Sequence, residues 1–382
     1  MPVRATKRGD DRTPLSGEYD VLVCGASFAG LTVARELQGS GRRVLMIDRY
    51  EIGERQTSAC AAPTQWLANL GLEGAIRQTF THLVVHRPTK SYSWRLPSTF
   101  STFDYRELCA LLRAQGDETA FETAKVDGRT GDVVHTDRGD LTAPLIVDAL
   151  GWRRTLSNAP EPIQPPDARL SRGLEVHPPA SGQDLELWFD PKYVPAGYSW
   201  AFPATDEVRI GVGSFDPRRR VKEETVQLTR DLAMEPNEYH GNWIPHELRA
   251  ATEDGVFFVG DSAGHCLPLS AEGIRTAFYF GLAAGRELRA VLDGRQSRER
   301  ALERYAAFSD RHAWKFRWLL LTQDLFGRAN PSPVLDKVLD VVSRPRLIDW
   351  SFTRYFEIAD PDFALADPAR GAAPAARDPV PA

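Results

Sequence analysis

Gly25, Ser27, Gly30 and Asp48 stand at the spacing of a dinucleotide-binding turn. Gly25 permits the tight turn, and Gly30 lets the following helix lie close to the preceding strand. Free N–H groups at that helix's N-terminus suit a pyrophosphate. Asp48 suits ribose hydroxyls, and its charge repels a 2′-phosphate. Ser27 replaces the middle glycine of the pattern; it is small and can donate a hydrogen bond. The glycines alone could serve packing only, but the flanking strands, helix and acid complete the fingerprint. Further chemistry-bearing residues are Arg106, in the first turn of an amphipathic helix, then Asp148 and Gly151 after an apolar run. Gly260 and Asp261 precede a loop holding Pro268, Glu272, Gly273 and Ile274. A cation in a first turn opposes the helix dipole, so Arg106 points either to an anionic partner or to plain solvation.

The elements that position these residues follow from pattern. Residues 21–24, 43–47, 145–148 and 255–260 are short, apolar runs of buried-strand type. Residues 31–37 and 274–292 read as helices, the second with small residues that permit close packing. Asp104 caps a helix, with Glu107 three residues on. Segments 83–85 and 91–96 read as strands, 63–70 as a helix, and 125–142 as a hairpin. A proline-rich span at 158–166 leads into a mostly β stretch at 173–215, a helix at 223–234, and helices at 298–321 and 334–342. The expected fold class is α/β, a Rossmann-like domain with a parallel sheet, plus a mainly β substrate domain and C-terminal helices. The cofactor domain is discontinuous, at 18–80, 100–157 and 250–295. The substrate domain takes 81–99 and 158–249, and the C-terminal helices 296–359. Residues 1–17 and 360–382 read as disordered.

The totals narrow the classes. The chain has 382 residues, 42% hydrophobic and 26% charged, with net charge −5, which gives no reason to expect nucleic-acid binding. Four scattered cysteines lack metal or disulfide spacing and fit a reducing, cytoplasmic setting. The basic start lacks the apolar core of a signal peptide, and no apolar run nears the ~20 residues of a membrane span. The segment 314–321 reads as a core-facing helix rather than an interfacial one.

Taken together, the glycine turn, Asp48, Arg106, Asp148-x-x-Gly151, Gly260-Asp261, Pro268 and Glu272-Gly273 resemble the FAD-dependent oxidoreductases of the para-hydroxybenzoate hydroxylase fold. Tyr198-x-Trp200-x-Phe202-Pro203, followed by Gly211-x-Gly213, resembles the YxWxFP signature of the geranylgeranyl reductases within that group. The resemblance implies FAD, held by Gly25, Ser27, Gly30, Asp48, Arg49, Arg106, Asp148, Gly151, Gly260, Asp261, Pro268 and the Glu272-Gly273-Ile274 backbone. It implies an isoprenoid or other apolar substrate beside Tyr198, Trp200 and Phe202, with Cys60 and Tyr198 as candidate proton donors. Reduction of a C=C bond is the first expectation. A flavin monooxygenase is the second, and a flavoprotein acting as a binding or redox-sensing partner the third. There is no second glycine-rich unit for a nicotinamide, so NAD(P)H would be an external donor, with ferredoxin or another reductase as alternatives. A lipid substrate would imply peripheral membrane contact.

Overall fold

The computed structural model describes residues 13–159, 163, 168–330 and 333–366. Val21–Cys24 is buried along its whole length and lies inside a six-stranded sheet. The order is Thr252–Glu253, Val256–Phe258, Leu145–Asp148, Val21–Cys24, Val44–Asp48 and Ala120–Thr123, parallel except for the first strand. Side chains alternate across it. Val21, Val23, Val44, Met46 and Val147 pack on the helices Phe28–Leu37, Tyr105–Ala114 and Ile274–Leu292. Leu22, Cys24, Leu45, Ile47 and Ile146 pack on a small sheet of Gly17–Glu18, Gly139–Thr142, Val133–Thr136 and Val126–Thr130. Three of its four strands come from 125–142, where a two-stranded hairpin is expected. The small residues of Ile274–Leu292 are needed for contact: a Cβ on Gly281 would lie 2.9 Å from the Ala29 carbonyl oxygen.

An eight-stranded sheet takes the order His240–Pro245, Leu170–Val176, Val208–Ser214, Gly197–Pro203, Leu185–Trp188, Ile76–His86, Ser91–Phe103 and Ala61–Pro63. Only the Leu185–Trp188 and Ile76–His86 pair is parallel. Ile76–His86 and Ser91–Phe103 run past the expected limits at 80 and 100, because the two strands pair from Ile76 opposite Phe103 to His86 opposite Ser91. The helix Lys222–Asp231 covers one face through Leu228.

The C-terminal part departs most from expectation. The helix expected over 298–321 is two, Arg298–Asp310 and Ala313–Ala329, separated at Arg311 and His312. The second leaves Trp314, Trp318 and Leu321 exposed, so 314–321 does not simply face the core. Val334–Val342 follows as expected, and a further helix, Pro345–Phe356, starts on a proline that suits its first turn. Part of the supposed tail is ordered: Pro361–Leu365 is a 3₁₀ helix with Phe363 buried against Tyr279 and Phe308. Leu15, also expected in a disordered end, is buried, and its N–H donates to the Arg138 carbonyl at 2.8 Å. Residues 1–12, most of 160–167, and 367–382 lie outside the described residues.

Candidate functional site

A cavity of about 2440 Å³ is lined by both large sheets and the C-terminal helices. One small-molecule site takes about 300–1,000 Å³, so this space admits a dinucleotide and a second ligand together.

At one end stands the glycine turn. Gly25 has φ +111°, and a Cβ there would lie 2.2 Å from the Ala149 carbonyl oxygen. A Cβ on Gly30 would lie 1.9 Å from the Gly25 carbonyl oxygen. Neither glycine lines the cavity; both let the turn fold tightly beside it. Ser27 is on the wall as the N-cap of Phe28–Leu37, yet its side chain caps no N–H and the first turn holds no acid. Its hydroxyl sits 3.3 Å from the Tyr105 hydroxyl instead. Asp48 accepts the Ala26 N–H at 2.8 Å and the Tyr50 N–H at 3.0 Å, while burial raises its pKa. Arg49 lies on the wall with its guanidinium over the Tyr50 ring.

Midway, Gly151, Gly260 and Asp261 reach the cavity. The Asp261 carboxylate accepts no hydrogen bond among the described residues. Burial pushes its pKa up to about 6, against the opposing pull of Arg249. Gly273 caps Ile274–Leu292 with no side chain and no acid in the first turn. Two uncapped helix N-termini therefore face one cavity, each a region of positive potential. The loop before Gly273 holds Leu269 and Ala271 at φ +69° and +53°, a strained backbone of the kind found at ligand clamps. Hydrogen bonds fix it. Tyr198 donates to the Ser270 carbonyl, the Ser270 and Tyr355 hydroxyls meet at 2.6 Å, and Tyr355 donates to Glu272. Arg275 pairs with Glu272 at 2.7 Å and donates to the Tyr355 and Phe356 carbonyls. The Glu272 carboxylate and backbone are thus committed to their own chain, leaving the Gly273 and Ile274 N–H groups for a ligand.

Besides Gly25 and Gly30, three expected residues do not reach the wall. Arg106 is exposed, because helical rotation turns it outward; Tyr105 lines the cavity instead. Asp148 is fully buried and accepts from the Leu150 and Leu156 N–H groups and the Ser262 hydroxyl. It ties two strand ends together. Pro268 lies in the strained loop but off the wall.

On the second sheet, half-buried Tyr198, Trp200 and Phe202 alternate with buried Ser199 and Ala201 and line the cavity together. Trp200 lies opposite Gly211, and Tyr198 opposite Gly213. A Cβ on Gly211 would lie 2.2 Å from Trp200 Cζ2, so the glycine makes room for the indole. Cys60 is on the wall at φ +52°, its thiol donating to the Ser58 carbonyl at 3.2 Å, and burial pushes its pKa up. Burial also raises the pKa of Tyr198. Neither is a ready acid.

The sequence reading missed Glu175 and His177. Glu175 is buried on the cavity wall and accepts from Trp200 Nε1 at 3.2 Å; its other oxygen lies 3.0 Å from His177 Nε2. His177 stacks on His240 with centroids 4.4 Å apart, and its Nδ1 lies 3.9 Å from Glu207. Alternation on Leu170–Val176 would have put Glu175 and the residues two away on one face. Its meeting with Trp200 is a matter of sheet order, invisible in the linear chain.

No family model matches the chain. Digeranylgeranylglycerophospholipid reductase 3 of Methanosphaera stadtmanae is 25% identical over 371 residues, 87% of this chain and 93% of its own. A geranylgeranyl bacteriochlorophyll reductase-like protein of Thermoplasma acidophilum superposes with TM-score 0.77 at 16% identity, covering 92% of this chain and 98% of its own. A probable FAD-dependent monooxygenase of Pseudomonas aeruginosa superposes with TM-score 0.62 at 18% identity, covering 88% and 100%. The class is that of the FAD-dependent oxidoreductases. Within it, the chain is distantly similar, at about a quarter identity over most of its length, to the geranylgeranyl reductases.

Proposed function

We propose that this chain binds FAD in the cavity and reduces C=C bonds of an isoprenoid or another apolar substrate. The observation that carries the reading is the placement of the Tyr198–Trp200–Phe202 face on the same cavity as the two uncapped helix ends. The wall fits the cofactor on its own chemistry. The turn at Gly25 and Gly30 has no room for a Cβ, and its tight closure puts Ser27 on the wall. Asp261 is an acceptor without a donor, suited to a ribityl hydroxyl, and Asp48 suits the ribose. Ser27 and the first turn of Phe28–Leu37 would hold the pyrophosphate, and the Gly273 helix end the anionic edge of the reduced ring. When bound, the flavin supplies hydride to one alkene carbon; NAD(P)H or another external donor restores it.

The chain's own residues do the rest. Tyr198, Trp200 and Phe202 hold the apolar chain and exclude water. Trp200 Nε1 fixes one Glu175 oxygen, and His177 Nε2 faces the other. In this reading Glu175 delivers the proton to the second alkene carbon, and His177 replaces it from the side of Glu207. Cys60 and Tyr198 are then wall residues, each with its proton held by a backbone carbonyl. The test is anaerobic: the flavin-loaded, reduced protein is mixed with a polyprenyl alkene and reoxidation is followed. Substrate-dependent reoxidation with formation of the saturated product supports the reductase. Substrate-dependent oxygen consumption, with an oxygenated product, assigns the protein to the monooxygenases instead.

A further inference from the structure

Three helices near the C-terminus, Ala313–Ala329, Val334–Val342 and Pro345–Phe356, share an apolar face that the rest of the described protein leaves uncovered. Trp314, Trp318, Leu321 and Leu325 recur at helical spacing, with exposures of 67, 63, 57 and 65%. Val334, Val338 and Val341 repeat the pattern on the second helix, and Trp350 stands out on the third. Each helix already buries an opposite side, through Phe316 and Leu319, Leu335 and Leu339, and Ile348. The outward residues are therefore surplus to the core, and an exposed apolar face of this extent marks an interaction site. Trp314, Trp318, Val338 and Trp350 also line the cavity, so the cavity meets the outside within this face.

Charge names the occupant. Between 313 and 356 the chain has seven Lys and Arg against four Asp. Three of the acids are taken up in ion pairs: Asp324 pairs with Arg169 and Asp336 with Arg87, both at 2.6 Å, and Asp340 pairs with Lys90. Exposed Arg317, Arg328, Lys337, Arg344 and Arg346 enter no ion pair among the described residues. Asp349 is the one acid left over. This cationic surplus sits on a chain whose net charge is −5. A two-fold contact with a second copy would lay this cationic surplus against the same surplus on the other copy, a like-charge juxtaposition. Tryptophans among leucines, flanked by lysine and arginine, suit the headgroup layer of an anionic bilayer. No described helix is long and apolar enough to cross a membrane, so the helices would lie in the plane of that layer. We infer that this face docks on an anionic lipid surface, with the cavity opening toward the bilayer. Passage of substrate from lipid to cavity rests on the reading above; the docking does not.

The test uses the full chain with vesicles of phosphatidylcholine alone and of phosphatidylcholine with phosphatidylglycerol, at low and high salt, without turnover. The protein should sediment with the phosphatidylglycerol vesicles and be released by salt. Leu321→Glu with Leu325→Glu, at two exposed positions off the cavity wall, should weaken binding at least ~10-fold while the thermal melt stays with the parent. No binding to anionic vesicles, equal binding to both kinds, or undiminished binding of the variant each overturns the inference. A dimer in vesicle-free buffer that the variant dissociates also overturns it and gives the face to self-association. Reduction of a detergent-dispersed alkene reports separately on the proposed reaction: its failure with vesicle binding intact sinks the reaction and leaves the docking.

Discussion

Gly30 has no room for a methyl group, since its Cβ would stand 1.9 Å from a backbone oxygen. Gly30→Ala should cost about 1–3 kcal/mol by forcing helix and turn apart, read as a lower urea midpoint with loss of flavin uptake. Glu175→Gln keeps the shape of the wall but removes the proton. It should lower turnover ~10²–10⁴-fold with flavin affinity unchanged, whereas Cys60→Ala should change turnover far less. The reverse order would return the thiol to the proton-donor role. Asp261 supplies a pH signature. Its carboxyl sits at about 6 in the folded protein, above its ordinary 3.8. The folded state therefore holds a proton that the unfolded state has released, and stability falls as pH rises between those values. For the flavin-free protein the loss is roughly 1–3 kcal/mol, less where cavity water screens the charge. Asp261→Asn should remove that part of the slope, so melts of parent and variant should diverge between pH 4 and pH 6. Parallel curves would mean that the carboxyl is hydrated.

At the scale of elements, the loop before Gly273 and the helix Pro345–Phe356 hold each other through one hydroxyl. Tyr355→Phe removes its bonds to Glu272 and Ser270. This should cost about 1–3 kcal/mol and speed hydrogen exchange at Leu269–Gly273 ahead of the sheets. The same region shows what a linear chain discloses. The Gly25 turn, Asp48 and the helix Ile274–Leu292 were legible because each rests on local spacing. The Asp104 cap was too, since its carboxylate accepts the Glu107 N–H at 2.8 Å. That Arg106 and Asp148 lie off the wall was not legible, because their placement depends on helical phase and on which buried donors need an acceptor. The stripe from Trp314 to Leu325 repeats at a spacing that fits a core face as well as an outer one; periodicity marks a face without saying what meets it. Tyr355 and Glu175 carried no local signal, because their partners lie 83 and 25 residues away.

For the whole molecule, the reading requires the cavity to gain its cofactor as a stabilising ligand. At a flavin concentration of ~100 times the dissociation constant, binding adds about 2.7 kcal/mol. For a chain of this size that raises the melting temperature by roughly 3 °C, at ~1–1.5 °C per kcal/mol. The purified protein should be yellow and show that shift; a colourless protein with an unchanged melt would remove the basis of the proposed chemistry. A last consequence concerns inheritance. Trp200 and Gly211 occupy one parcel of space on neighbouring strands. Descendants that enlarge residue 211 have to shrink or turn the indole, and with it the Glu175 oxygen it tethers. The two sites should drift in tandem, and Gly211→Ala should be repaired by Trp200→Phe at the expense of that tether.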